Sequence, residues 1–309
     1  MKQLRSIQIL RAMAATGVVV HHAYRNVDVN SAARIGAAGV DLFFVISGFI
    51  MATVAANRTP VRFLSDRVWR IFPLWWVAVV PWLIISRPSW QVDLTSVSLW
   101  PVYGSSFYTP ILLQGWTLSF EMLFYAGFAV ALWKHALVPL GIFVACFVAG
   151  FFTSLGLVNY FGSPLILEFL AGVAIASLPL DRRVGAAAVL LALAWLAVAP
   201  EGLYSNAFGT GGVDRVMCWG VPSALLVYGL RAFEPVFEKR CFALPVLIGD
   251  ASYAIYLSHR YVVDSVPWLP AIILSLCIGV AFHVFVDKPI VETRRWLVGR
   301  RRSRLATAG

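Results

Sequence analysis

Residues 36–56 read GAAGVDLFFVISGFIMATVAA, an apolar run with a single ionisable side chain, Asp41. About 20 such residues in a helix cross the roughly 30 Å hydrocarbon layer of a bilayer, so the run reads as a membrane span. Runs of the same kind recur at 7–24, 71–86, 115–133, 136–152, 164–180, 184–199, 213–230, 245–262 and 269–286, separated by charged or Gly/Pro-rich breaks. Ten spans use about 200 residues and leave roughly a hundred of the 309 for loops and tails, too few for a separate soluble domain. The third and seventh runs are short, as slightly tilted or partly re-entrant segments are.

Composition points the same way. AVILMFWYC residues make up 60% of the chain, charged residues 13%, and the mean hydropathy is +0.79. A soluble domain carries about a quarter charged residues, so a soluble enzyme, a disordered chain and a nucleic-acid module are excluded. Cys146, Cys218, Cys241 and Cys277 are scattered without a CxxC pair, which argues against a metal site or disulfide framework. The amino-terminal run resembles a signal peptide, but Arg11 interrupts it and His21-His22 stands where small residues precede cleavage. It reads as a retained first span.

With the amino terminus in the cytoplasm, 19 of the 25 Lys and Arg residues fall on inner segments. Arg25, Arg34, Arg87, Arg215 and Arg260 remain at the outer face or outer span ends, and the turn near Gly209 is outside. This asymmetry sets the orientation and an even span number. The expected fold is therefore all-α: a polytopic membrane helical bundle of about ten transmembrane helices with both termini cytoplasmic. Residues 1–290 form the transmembrane domain and 291–309 a basic tail against anionic lipid.

Charges inside hydrocarbon are costly, so each ionisable residue in a span is a functional candidate. At ~1.5 Å per residue, His22 stands roughly 22 Å above the inner start of span one. Asp41, Glu121 and His259 fall at a similar outer depth by the same count, each on a different span. Arg11, Arg67, Arg70 and Asp250 share the inner depth. The expectation is a cationic mouth at the cytoplasm and an acid/base cluster further out. For each residue a plainer reading exists. Arg67 and Arg70 suit positive-inside anchors, Glu121 a packing ion pair, and Ser47-Gly48 close helix approach rather than a nucleophile.

Five stretches, in order, resemble the acyltransferase family 3 membrane proteins. They are Arg11 with His22 eleven positions on, Gly39 to Phe49, Arg67-Val68-Trp69-Arg70 leading to Trp76, Trp116-Thr117-Leu118-Ser119-Phe120-Glu121, and Gly249-Asp250 through His259. The resemblance runs from the first span to the carboxyl end. Ser258 departs from the Trp the family often places before the His, and Met122 from a common second acid. No appended esterase-like domain is expected, and the chain looks most like the single-domain exopolysaccharide branch.

The resemblance implies an O-acyltransferase of the bacterial inner membrane. It would move acetyl or another acyl group from cytoplasmic acetyl-CoA to a hydroxyl of a surface or exported polysaccharide or its lipid-linked precursor. Arg11, Arg67 and Arg70 suit the phosphates of the donor, because guanidinium groups bind phosphate bidentately. His22 would take the hydroxyl proton with Asp41 or Glu121 holding its tautomer, or would itself carry the acyl group. Lipid, carbohydrate and acyl-CoA are the expected partners, with a homo-oligomer or export machinery as further ones; nucleic acid and metal are not. The rival reading is a proton-coupled transporter, which predicts an internal repeat that the sequence lacks.

Overall fold

Helix α1 (Arg5–Arg25) runs through the centre of the molecule, packed against a 3-10 stretch (Ala32–Ala38), α2 (Gly39–Val54), α13 (Ala243–Asp250) and α16 (Trp268–Phe282). Its neighbours approach through glycine. A Cβ on Gly39 would overlap the carbonyl of Ala14, and one on Gly249 the carbonyl of Gln8. The same device joins α2 to α8 (Ile166–Ser177), where Gly48 meets the main chain of Phe169 and Gly172 that of Val45. A glycine lets the neighbouring backbone come into contact where lipid supplies no hydrophobic drive between helices.

This computed structural model describes residues 4–25, 32–55, 58–86, 88–104, 106–198 and 212–306, with the side chains of 25, 32–34 and 298–306 left aside. Lys2, Arg87, the turn around Gly209 and the side chains of Arg25, Arg34, Arg300, Arg301, Arg302 and Arg304 therefore lie outside the described residues.

The remaining elements are α3 (Pro60–Ser86), α4 (Trp90–Ser98), a short hairpin β1 (Val102–Tyr103) and β2 (Ser106–Phe107), α5 (Gly115–Trp133), α6 (Leu137–Ala149) and α7 (Gly156–Phe161). After α8 come α9 (Arg182–Val198), α10 (Gly212–Arg215), a π turn (Val216–Gly220), α11 (Val221–Arg231) and α12 (Glu234–Phe237). The chain ends through α13, α14 (Ser252–Ser258), α15 (Arg260–Val263), α16, a second π turn (His283–Asp287) and α17 (Lys288–Ala306). The larger core joins α2, α3, α5, α8 and α14 through Phe44, Trp75, Phe120, Phe169 and Leu257, with Phe124 stacked on Phe169 at 4.0 Å between centroids. A second core packs Leu10, Val45, Phe49, Ile175, Ala192 and Val227 between α1, α2, α8, α9 and α11. Large apolar side chains of α6, α9 and α16 face outward, as lipid-facing helices do.

Each of the ten apolar runs overlaps a helix. Among the described residues, five helices are both long and apolar enough to cross a membrane: Ile35–Val54, Pro60–Ser86, Gly115–Trp133, Gly156–Ser177 and Trp268–Leu297. The pair Arg240–Asp250 and Ser252–Val263, bent by 48°, makes a sixth if counted as one broken span. The protein is thus a multi-pass, almost wholly helical membrane protein. The third span corrects the expectation of a short one: α3 spans 27 residues and carries Arg62, Arg67 and Arg70 on the helix itself. An apolar-run criterion stops at charge, whereas the helix continues because Arg is a good helix former and finds acidic partners.

Candidate active site

Arg67 and Arg70 lie three residues apart on α3 and so share one face. That face closes a cavity of about 490 Å³ bounded also by α1, α2, α5, α14 and α17. Arg11, Arg58, Arg294 and Arg295 line it as well, with Asp66 and Glu121 as its carboxylates. Arg70 donates to both oxygens of Asp287 at 2.9 and 3.2 Å, and His283 Nδ1 meets the same carboxylate at 2.8 Å. Arg67 sits with its guanidinium about 6 Å from the rings of Phe63 (5.9 Å) and Tyr125 (6.0 Å), and its Nε is buried without a hydrogen-bond partner. Arg11 reaches Gln8 at 3.3 Å, while the charges of Arg70, Asp250 and Glu121 all act on it.

One stripe of α5 runs along the cavity wall: Thr117, Glu121 and Tyr125, each one turn apart. Glu121 accepts from Ser47 Oγ at 2.7 Å and from the Tyr125 hydroxyl. Thr117 shares a 2.8 Å hydrogen bond with the Tyr256 hydroxyl, which also donates to Gln114 O at 3.0 Å. Gln114 Nε2 in turn donates to Leu257 O. The start of α5 is thereby docked on α14 inside the bundle, beside the turn that carries His259.

His259 is fully buried, and its ring centroid stands 5.0 Å from that of His22. Nδ1 of His22 faces Val18 O at 2.9 Å, and Nδ1 of His259 faces Tyr256 O at 2.7 Å. A carbonyl only accepts, so each Nδ1 carries the hydrogen, and in the neutral ring each Nε2 carries a lone pair. Nε2 of His259 has no hydrogen-bond partner among the described residues. The two imidazoles thus offer basic nitrogens at one place on two helices, α1 and the junction of α14 with α15.

These positions correct two expectations. The hydrogen that a carboxylate was expected to hold on His22 is held by the main chain of its own helix. Asp41 is fully buried and gives both oxygens to Arg215, Nε and Nη2 each at 2.8 Å. Glu121 belongs to the arginine cavity rather than to the histidine level. The depth count failed because the start of α5 is bonded to Tyr256 and Leu257, close to His259, which leaves Glu121 further along the helix. Likewise α2 is preceded by a 3-10 stretch that already runs beside α1, which carries Asp41 below His22.

Arg215, expected at the outer face, is buried, with its guanidinium 4.9 Å from the Trp219 ring. Glu168 on α8 is buried beside this pair and acts on it. Sequence reading missed Glu168, although a carboxylate inside the run 164–180 meets the same cost criterion as Glu121. Asp287, His283 and Asp66 were also missed; Asp66 and Asp287 stand next to charged residues at a span end and look like ordinary surface groups in sequence, whereas His283, inside the run 269–286, meets the same criterion as Glu168. No group of three or more His, Cys, Asp or Glu side chains is placed to hold a metal among the described residues.

The sequence that builds this cavity and histidine pair matches a known family. The profile of the acyltransferase domain Acyl_transf_3 covers residues 4–287. The chain belongs to this acyltransferase family. The acyltransferase is 34% identical over 318 residues to the exopolysaccharide production protein ExoZ of Rhizobium meliloti (strain 1021), an alignment covering 89% of this chain and 93% of ExoZ. No solved structure matches it. All five motifs that carried the resemblance fall within the matched region. Each of the five contributes to the arginine cavity, and the first and last also supply the histidine pair.

Proposed function

We propose that this acyltransferase moves an acetyl group from cytoplasmic acetyl-CoA to a hydroxyl of an exported polysaccharide or its lipid-linked precursor, in the bacterial inner membrane. The observation that carries the reading is the cavity lined by Arg11, Arg67 and Arg70, joined through Thr117 and Tyr256 to the turn that bears His259 against His22. Guanidinium groups fit the donor's phosphates, and beyond them the cavity wall mixes apolar Phe43, Phe44 and Leu118 with the hydroxyls of Thr117 and Tyr256, which suits an arm that is apolar but carries amides. His22 Nε2 takes the proton from the acceptor hydroxyl. The alkoxide oxygen attacks the thioester carbonyl, the C–S bond breaks, and the coenzyme A thiolate leaves with the proton returned by His22. The relative ExoZ, named for exopolysaccharide production, supports a carbohydrate acceptor.

In this reading the chain crosses the membrane ten times with both termini inside. The donor then enters at the arginines, and the basic end of α17 lies against anionic lipid. A reporter fused after Gly309 is expected to give a cytoplasmic signal, as is one beside Arg182-Arg183, whereas one near Gly209 reports the outside. An outside signal at the carboxyl end removes both the even span count and the cytoplasmic donor.

The donor assignment is tested kinetically. Arg70→Ala is expected to raise the KM for acetyl-CoA more than it lowers the rate at saturating donor, the signature of lost ground-state binding. Added salt reproduces part of the effect, because a solvent-reached phosphate contact is screened. Unchanged donor affinity with collapsed turnover would place Arg70 in the chemical step instead.

A further inference from the structure

The arginines of the cavity fall into two tiers. Arg70 and Asp287 form the deeper one; seven residues beyond Asp287, roughly 10 Å along the helix at 1.5 Å per residue, Arg294 of α17 forms the other. At that outer tier Asp66, one turn before Arg70 on α3, is paired with both Arg58 and Arg294. Arg295 lines the same end of the cavity, and the Trp69 indole, 49% exposed, has the Arg294 guanidinium 6.0 Å from its ring. Two guanidinium groups converge there on one carboxylate, beside an aromatic face open to the cavity.

Resting on the donor reading above, we propose that this outer tier is a subsite for the 3′-phosphoadenosine end of coenzyme A. Trp69 receives the base, Arg58 and Arg294 receive the 3′-phosphate, and Asp66 competes with that phosphate for the same two cations. The geometry requires it in this order. The thioester must point to the Thr117–Tyr256 end, so the diphosphate falls beside Arg11, Arg67 and Arg70. What lies beyond the diphosphate in coenzyme A is the adenosine with its third phosphate. A dianionic phosphate offers Arg58 and Arg294 more charge and more acceptor oxygens than the single carboxylate of Asp66. A phosphopantetheine arm on a carrier protein ends at one phosphate and leaves this tier unused. The subsite therefore selects the free acyl-coenzyme A over a carrier-bound acyl group.

The test is calorimetric binding of coenzyme A and of 3′-dephospho-coenzyme A to the purified full-length protein, as wild type and as two variants. Wild type is expected to prefer coenzyme A by about tenfold or more, the worth of charge-assisted contacts to one phosphate. Arg58→Gln with Arg294→Gln is expected to erase the preference while leaving affinity for the dephospho form near its wild-type value. Asp66→Asn is expected to raise affinity for coenzyme A about twofold to fivefold, since an intramolecular competitor in a part-exposed ion pair is removed; a gain of affinity does not arise from misfolding. Equal binding of the two ligands by wild type overturns the subsite and leaves the donor reading standing. A preference that survives the double substitution, or an affinity that falls with Asp66→Asn, also overturns it. Binding of neither ligand overturns the subsite together with the donor reading.

Discussion

His22→Ala is expected to reduce acyl transfer by about 10²–10⁴-fold, the usual contribution of a general base, while the protein still inserts and purifies in normal amount. The ring is held by one hydrogen bond to Val18 O and by ring contacts with His259 and His21, so its removal leaves the helix ladder intact. Adjacent helix positions point about 100° apart, so His21→Ala is expected to cost far less. The measurement is transfer of labelled acetyl from acetyl-CoA in membrane vesicles. Equal and large losses at both positions would remove the argument from helix faces. His259→Ala extends the test: its Nε2 is buried without a hydrogen-bond partner among the described residues, and loss of rate at normal yield places it with His22 in proton handling.

Arg215→Ala is expected to be the most damaging single change to the folded protein. Arg215 is the cation that meets both oxygens of Asp41, and Glu168 is buried beside the same pair. Removing one partner of a buried ion pair costs about 3–5 kcal/mol, because the remaining charge stays desolvated. That is much of the roughly 5–15 kcal/mol by which a folded chain exceeds its unfolded state. The expected result is loss of the monodisperse peak in detergent and a large fall in melting temperature. Arg215→Lys keeps the charge but not the two-pronged geometry and is expected to fall between. An Arg215→Ala protein that melts like wild type yet transfers nothing would return Asp41 and its partners to the chemistry.

The cost of charge in hydrocarbon makes the important residues legible in the amino-acid sequence, because a chain this apolar keeps an ionisable group inside a span only for a reason. Arg11, His22, Asp41, Arg67, Arg70 and Glu121 all prove to lie on helices at the centre of the bundle. What could not be read was which of them meet. Asp41 and Glu121 looked equivalent, each a few residues into a span entered from outside. One is locked to Arg215 and the other bonded to Ser47 and Tyr125 at the arginine cavity.

The sequence by itself determined the membrane class, the helical fold, the spacing of small residues at Gly39, Gly48 and Gly249, and the motifs that mark the family. These follow from local quantities: hydropathy over about 20 residues, and side-chain size at a given helical position. Only the tertiary structure decided the grouping of the charges, because that depends on where each helix begins relative to its neighbours. Helix α5 starts inside the bundle, docked on Tyr256 and Leu257 through Gln114 and Thr117. A count of residues from a supposed membrane face therefore placed Glu121 a layer too far out. Asp66 meets Arg294, Asp287 meets Arg70 and Glu168 lies beside Asp41, each across more than a hundred positions of chain, through contacts that no local pattern encodes.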